Sequence, residues 1–335
     1  MNCTADIEVI EPSKDTISCL AFTPIQTQNF LVSGSWDNEL RCWEIRDDGL
    51  SVPKAIQFHQ KPVLDITWSS DGTKLFSASC DKTVNMWDLN TNKLIRIGQH
   101  KSPVKTVDFI TSSRYSCIMT GSWDRTLKFW DAKSPNPIHN IDLPERCYCA
   151  FVKYPMAVVG LAGRTIIVYD LEGGFKEYKR MESPLPCQIR CLIGFIKNNK
   201  ANVIVGGEIG AIAVQCVNAD NCGENFYFRC HRREFCNMVD VYPINGLALH
   251  PFHDILASVG SDGRYVFWDL NARCALRTSN FFDQSLTSCC FNSKGDIFAY
   301  SLGYDWSKGH EYNNNRRSRI YLHRATQVPL SGIKI

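Results

Sequence analysis

The sequence predicts an all-β chain, a seven-bladed propeller forming a single domain over residues 1–335. Three observations carry this. One hairpin pattern returns along the chain, an Asp stands six residues before a Trp in its clearest copies, and a short apolar segment precedes each copy. The clear copies are LVSGSWDNELRCWEI, LFSASCDKTVNMWDL, IMTGSWDRTLKFWD and LASVGSDGRYVFWDL, which pair Asp37 with Trp43, Asp81 with Trp87, Asp124 with Trp130 and Asp262 with Trp268. An apolar and hydroxyl run, a turn at the Asp and an alternating segment such as TVNMWDL read as strand, tight turn, strand.

Weaker copies fill the gaps. MAVVGLAGRTIIVYDL sets Gly163 six residues before Tyr169, VIVGGEIGAIAVQCV sets Gly210 six before Cys216, and DIFAYSLG with RIYLHR supplies two strands around a longer loop. The upstream segments are ISCLAFTP, VLDITWSSDG, VKTVDFI, CYCAFV, IRCLIGF, INGLALHP and LTSCCFNSKGD, one for each of seven units. Blades are expected at residues 14–50, 59–98, 100–143, 147–180, 188–230, 231–280 and 285–324, with 6–10 completing the last. Only ATQVPLSGIKI follows RIYLHR, so ADIEVIEP is expected to provide the outer strand of blade seven and close the ring, removing two open sheet edges.

Composition narrows the function. With 37 Lys and Arg against 34 Asp and Glu, the chain lacks the charge for polyanion binding over its whole surface, so basic function must be local. MNCTADIEVI has no Lys or Arg and reads as no secretory signal, and no apolar run reaches membrane-span length, which together predict a soluble intracellular protein with no membrane insertion. The 16 Cys form no zinc spacing and sit mainly in apolar runs, as buried reduced thiols do. His250 and His253, in LALHPFHD, read as an exposed pair in a hairpin turn. Phosphate-cradling loops, zinc-protease motifs and nucleophile elbows are absent, so the chain is expected to be no enzyme and to use no cofactor or metal.

The Trp-Asp endings at 87–88, 130–131 and 268–269, with Trp43-Glu44 and Tyr169-Asp170 as variants, resemble the WD-repeat family over nearly the full length. That resemblance implies buried structural tetrads of His59, Ser77, Asp81 and Trp87, and of His100, Thr120, Asp124 and Trp130. A buried carboxylate must be hydrogen-bonded, and an imidazole, a hydroxyl and backbone N–H groups do that while pinning the turn. Because the set recurs in several blades, it reads as scaffold and not as a catalytic triad.

Function is therefore sought where the chain departs from its repeat. HRREFCNMVDVYP, residues 231–243, is inserted before blade six, and GYDWSKGHEYNNNRRS, residues 303–318, replaces a tight turn in blade seven. Strand directions bring both to one rim, with the blade-six turn between them. The expected patch holds Arg229, Arg232, Arg233, Arg264, Lys308, Arg316, Arg317 and Arg319 among Phe235, Tyr265, Tyr304, Trp306 and Tyr312. Residues 225–335 carry 13 Lys and Arg against 9 Asp and Glu, while the rest of the chain carries 24 against 25. Cations alternating with aromatics suit single-stranded RNA, and equally suit an acidic, aromatic-bearing peptide.

KPVLDITWSSDG, SASCDKT, YSCIMTGSWDRTLKFWD, LPERCYCA, VGSDGR, FNSKGDIFAY and YDWSKGHE together resemble the nuclear-pore messenger RNA export factors of the Rae/Gle type. LPERCYCA and YDWSKGHE make the likeness specific, because the repeat itself does not require them. The resemblance implies an adaptor of nuclear mRNA export that binds a hairpin-forming motif of a Phe-Gly-repeat nucleoporin, with mitotic checkpoint kinases as further partners and a role in spindle assembly. It places the protein at the nuclear pore, in the nucleus and in the cytoplasm, as a monomer within a hetero-complex. It also implies RNA contacts at Arg264, Phe267, Trp306 and Lys308. The alternative is a mitotic checkpoint adaptor or ubiquitin-ligase substrate receptor using the same rim for protein alone.

Overall fold

The computed structural model describes residues 6–325 other than 135, 198–199, 219–224, 237 and 314–315. The opening residues 1–5 and the tail 326–335, both read above, lie outside the described residues. Seven four-stranded antiparallel sheets form the blades. Their innermost strands are Ile17–Phe22, Val63–Trp68, Val104–Thr111, Cys147–Lys153, Ile189–Lys197, Ile244–Leu249 and Ser285–Phe291. Each packs against the next and the seventh packs against the first, so the ring is closed.

Closure follows the sequence expectation. Ile7–Glu8 adds to Arg319–Arg324 as the outermost strand of blade seven, pairing Ile7 with Leu322 and Glu8 with Tyr321. Side chains secure so short a strand. Asp6 accepts a hydrogen bond from Tyr300 Oη at 2.5 Å and pairs with His323 Nδ1 at 2.6 Å, while Trp43 of blade one donates its indole N–H to Ile10 O at 2.9 Å. Burial and the Asp6 charge together drive the Tyr300 phenol far above its ordinary range.

Neighbouring blades cover both faces of the middle strands, which is why Met156–Leu161 and Ile255–Gly260 are buried at every position and do not alternate. Trp43, Trp87 and Trp130 lie in the seams between blades, and the Trp130 ring comes so close to Gly98 of blade two that a Cβ there would sit 2.8 Å from it. The 14 described cysteines are all free; burial pushes the Cys19, Cys147 and Cys191 thiols up to about 12.

Every innermost strand carries the same irregularity, a register shift after its first or second residue. The skipped residues are Ser18, Leu64, Lys105, Tyr148, Arg190, Asn245 and Thr287, and all seven line one central funnel. A bulge re-aims a side chain, and here it turns one from each blade toward the axis.

Two carboxylates stand lower on these strands. Asp65 accepts from the Val107 amide of the next blade at 2.9 Å. Asp108 Oδ2 has no partner among the described residues. Burial, with the Asp65 charge second, pushes the Asp108 carboxyl up to about 8, and burial pushes Asp65 up to about 6. A carboxyl whose pKa rises on folding favours the folded state below its unfolded value near 3.9, and that contribution is lost as pH climbs through the folded value. Asp108→Asn is therefore expected to raise the melting temperature more at about pH 8 than at about pH 5; equal shifts in thermal melts at both would contradict the assignment. Deletion of residues 1–10 is expected to lower the melt by several degrees, and an unchanged melt argues against the latch.

Candidate peptide and nucleic-acid interface

The candidate face is organised by buried imidazoles. In blade two His59 bridges Asp81 Oδ2 at 2.8 Å and Ser77 Oγ at 2.7 Å; in blade three His100 bridges Asp124 Oδ2 at 3.1 Å and Thr120 Oγ1 at 2.8 Å. Trp130 completes its set by donating to Thr120 Oγ1 at 2.8 Å, whereas Trp87 donates to Asn92 Oδ1 at 3.0 Å, so the expected blade-two tetrad stops at three members. Burial opposes ionisation of Asp81 and Asp124, yet hydrogen bonds from the histidines and from Thr83 and Thr126 hold both carboxyls well below the usual range. The residues after these aspartates, Lys82 and Arg125, have φ of 73° and 64°, which the bonded carboxylate stabilises.

A third set occurs in blade six. His231 bridges Asp262 Oδ1 at 2.8 Å and Ser258 Oγ at 2.9 Å, and Trp268 donates to Ser258 Oγ at 2.9 Å. His231 thus belongs to the frame and clamps the base of the first insertion. The rest of that insertion is a hairpin, Arg232–Phe235 with Met238–Val241.

The second insertion is fastened as firmly. Thr16 of blade one donates its hydroxyl to Tyr304 O at 2.9 Å, and Tyr304 Oη donates to Gly309 O at 2.6 Å. Burial works against the Asp305 charge, but hydroxyls of Ser261, Ser307 and Ser285 hold its carboxyl below the ordinary value. Between the two insertions lies a cleft of about 570 Å³, with Val241, Tyr242 and Pro243 on one side and Tyr304, Lys308, Tyr312 and Arg316 on the other. Beside it, the funnel of about 620 Å³ gathers Trp36, Trp123, Tyr148 and Trp306 around Lys105, Arg190, Glu208 and Asp305. Trp306 is 41% exposed, its ring 5.4 Å from that of Tyr304.

Residues 6–44, 51–88 and 92–131 match the family described as WD domain, G-beta repeat. The chain is 50% identical over 322 residues to protein Rae1 of Drosophila melanogaster, covering 95% of this chain and 93% of the relative. It is 52% identical over 334 residues to the mRNA export factors of Danio rerio and Mus musculus, covering 97% of this chain and 91% of each. The chain belongs to the Rae1 and mRNA export factor family. Among solved structures, the RRP9 WD40 repeats and U3-55K superpose with TM-scores of 0.80 and 0.78 at 18% and 17% identity, covering 96% of this chain and 98% and 99% of theirs. At those identities the likeness is one of fold.

Within this Rae1-family chain the nominated residues separate. Trp306 lines the funnel; Lys308 and Arg316 line the cleft. The Arg264 guanidinium lies 3.3 Å over the Phe281 ring, with Arg233 at 5.4 Å from it, and Arg232 donates to Ile209 O at 3.2 Å. Arg229 and Arg317 are exposed. Phe267 requires correction. It has no exposed surface and packs 5.1 Å from Phe298 of blade seven, because a strand flanked by blades on both sides buries both of its alternations. It cannot touch RNA in this fold.

Several contributors escaped the sequence reading. Phe281, half exposed beneath Arg264 and Arg233, sits in the connection to blade seven. Asp283 pairs with Arg316 at 3.1 Å and also with Arg319, so two cations of the expected patch are already partnered. Trp36 and Trp123 each directly precede a turn Asp, a signal present in SWDNEL and SWDRTL. His231 was legible too, since Ser258 precedes Asp262 by four residues, as Ser77 precedes Asp81. Replacing His231 with Ala is expected to cost about 1–3 kcal/mol in urea unfolding, since it takes one hydrogen-bond partner each from a buried carboxylate and a buried hydroxyl. Amide exchange in the hairpin should rise with it; hairpin exchange unchanged from wild type would show that His231 does not brace the insertion.

Proposed function

We propose that this chain is a non-enzymatic adaptor in nuclear mRNA export, docking a hairpin-forming motif of a Phe-Gly-repeat nucleoporin across the funnel and single-stranded RNA in the adjoining cleft. The observation that carries the reading is the juxtaposition of the aromatic funnel and the cleft bearing Lys308 and Arg316 on one face of a Rae1-family propeller. The relatives named mRNA export factor support the export role and, through it, residence in the nucleus and at the pore, with passage to the cytoplasm.

The mechanism is rigid presentation. Trp36, Trp123, Tyr148 and Trp306 give an extended peptide large apolar contact area at low entropic cost, with Lys105 and Arg190 placed to meet acidic side chains. Lys308 supplies charge for phosphate and Tyr312 an exposed ring for a base. The cores packed between blades five, six and seven support the backbone that walls the cleft.

One observation favours the second reading, an adaptor for protein alone such as a mitotic checkpoint adaptor or a ubiquitin-ligase substrate receptor. Asp283 pairs with Arg316 in the cleft and with Arg319 outside it, leaving fewer free cations on this face than the sequence promises. RNA binding is therefore expected to be weak and salt-dependent. The double variant Trp306→Ala, Lys308→Glu is expected to reduce single-stranded RNA affinity several-fold and lower the salt slope by about one. Matching titrations of wild type and variant across salt rule out the RNA role, and co-purification of a checkpoint kinase without a nucleoporin selects the second reading.

A further inference from the structure

Among the described residues, the hairpin inserted after blade five has no sheet neighbour on either side. Arg232–Phe235 and Met238–Val241 pair only with each other, matching Arg232 with Val241, Arg233 with Asp240, Glu234 with Val239 and Phe235 with Met238. Tyr242 donates its amide to His231 O at 3.0 Å. Antiparallel pairs alternate between mutually bonded and outward-facing, so Arg233 and Asp240 bond each other while Val239 and Val241 turn their N–H and C=O groups away from the hairpin.

That outward edge lacks the usual protection. Exposed strands are commonly blunted by charge, proline or a bulge. Here the ladder is regular, Asp240 faces Arg233 across it, and Phe235, Met238, Val239 and Val241 are exposed by 64%, 66%, 49% and 39%. A lone two-stranded hairpin is marginal in water, and a third strand with an apolar face is what such a unit gains most from.

Charge and position select the occupant. Arg232, Arg233, Glu234 and Asp240 cancel, so the hairpin offers no net field to a polyanion, which disfavours RNA. Tyr304 and Asp305 border both the funnel and the cleft, and Val241 stands on the cleft's opposite wall, so a peptide leaving the funnel over the cleft's rim reaches the Met238–Val241 edge.

We propose that this edge accepts an extended segment of a protein partner as a third β-strand, with apolar side chains at alternate positions packing on Val239 and Val241. The inference rests on the peptide-docking reading above and adds to it a second contact, made through main-chain hydrogen bonds.

The test compares Val239→Pro with Val239→Ala in the full chain, using as probe a fluorescein-labelled peptide carrying the hairpin-forming segment of a Phe-Gly-repeat nucleoporin. Proline deletes an outward N–H and leaves the hairpin's own bonds in place. It is expected to weaken binding about tenfold, the worth of one to two main-chain bonds, whereas alanine changes it no more than about threefold. In the wild type, the Val239 and Val241 amides are expected to become protected from exchange when peptide binds. If Val239→Pro binds like wild type while Trp306→Ala weakens binding, strand addition is wrong and funnel docking stands. Unprotected amides in a saturated wild-type complex overturn the proposal without recourse to any variant. No binding by the wild type overturns both.

Discussion

The interaction on which this face depends is the buried imidazole shared between a turn carboxylate and a strand hydroxyl. It ties the connection entering a blade to the tight turn between that blade's middle strands, holding two pieces of rim backbone that have no ladder in common. The energetic logic is that of a satisfied polar network in a low-dielectric seam, where each member is costly to leave alone and the group is stiff once complete. Repeated in blades two, three and six, it turns loops into fixed walls. In blade six the same device carries an insertion, and the hairpin stands on a clamped base.

Repeat spacing made the architecture legible because it reports backbone geometry directly. An Asp six residues before a Trp encodes one turn and one strand, and seven preceding apolar segments count the blades. The acidic, apolar opening could be assigned to blade seven from strand accounting alone, and Ile7–Glu8 lies there. The funnel was not legible. Its lining depends on a bulge in every innermost strand, and nothing in ISCLAF or VLDITW marks Ser18 or Leu64 as the residue turned inward. Phe267 failed for the opposite reason: alternation places a side chain on one side of a strand, and in a propeller both sides are interior.

The cations teach a related lesson. Counting Arg and Lys in the last third of the chain gives a basic field, but pairing decides how much of it reaches solvent. Asp283 ties up Arg316 and Arg319, and Phe281 engages Arg264. What remains accessible is dominated by aromatic surface with scattered charge, a composition closer to that of peptide-binding grooves than of high-affinity nucleic-acid channels.

The seam at blade seven also sets the order in which the molecule can be made. Residues 7 and 8 are synthesised long before their ladder partners, 321 and 322, which lie at the far end of the ring's seven blades. Until Arg319–Arg324 is available to pair with Ile7–Glu8, the blades form an open arc whose two end blades present bare apolar flanks to solvent. Contacts so distant along the chain are slow to form and hazardous while missing. Biogenesis of this toroid is consequently a problem of shielding a nearly finished object, and its dependence on folding helpers should be concentrated in the interval before Arg319–Arg324 arrives.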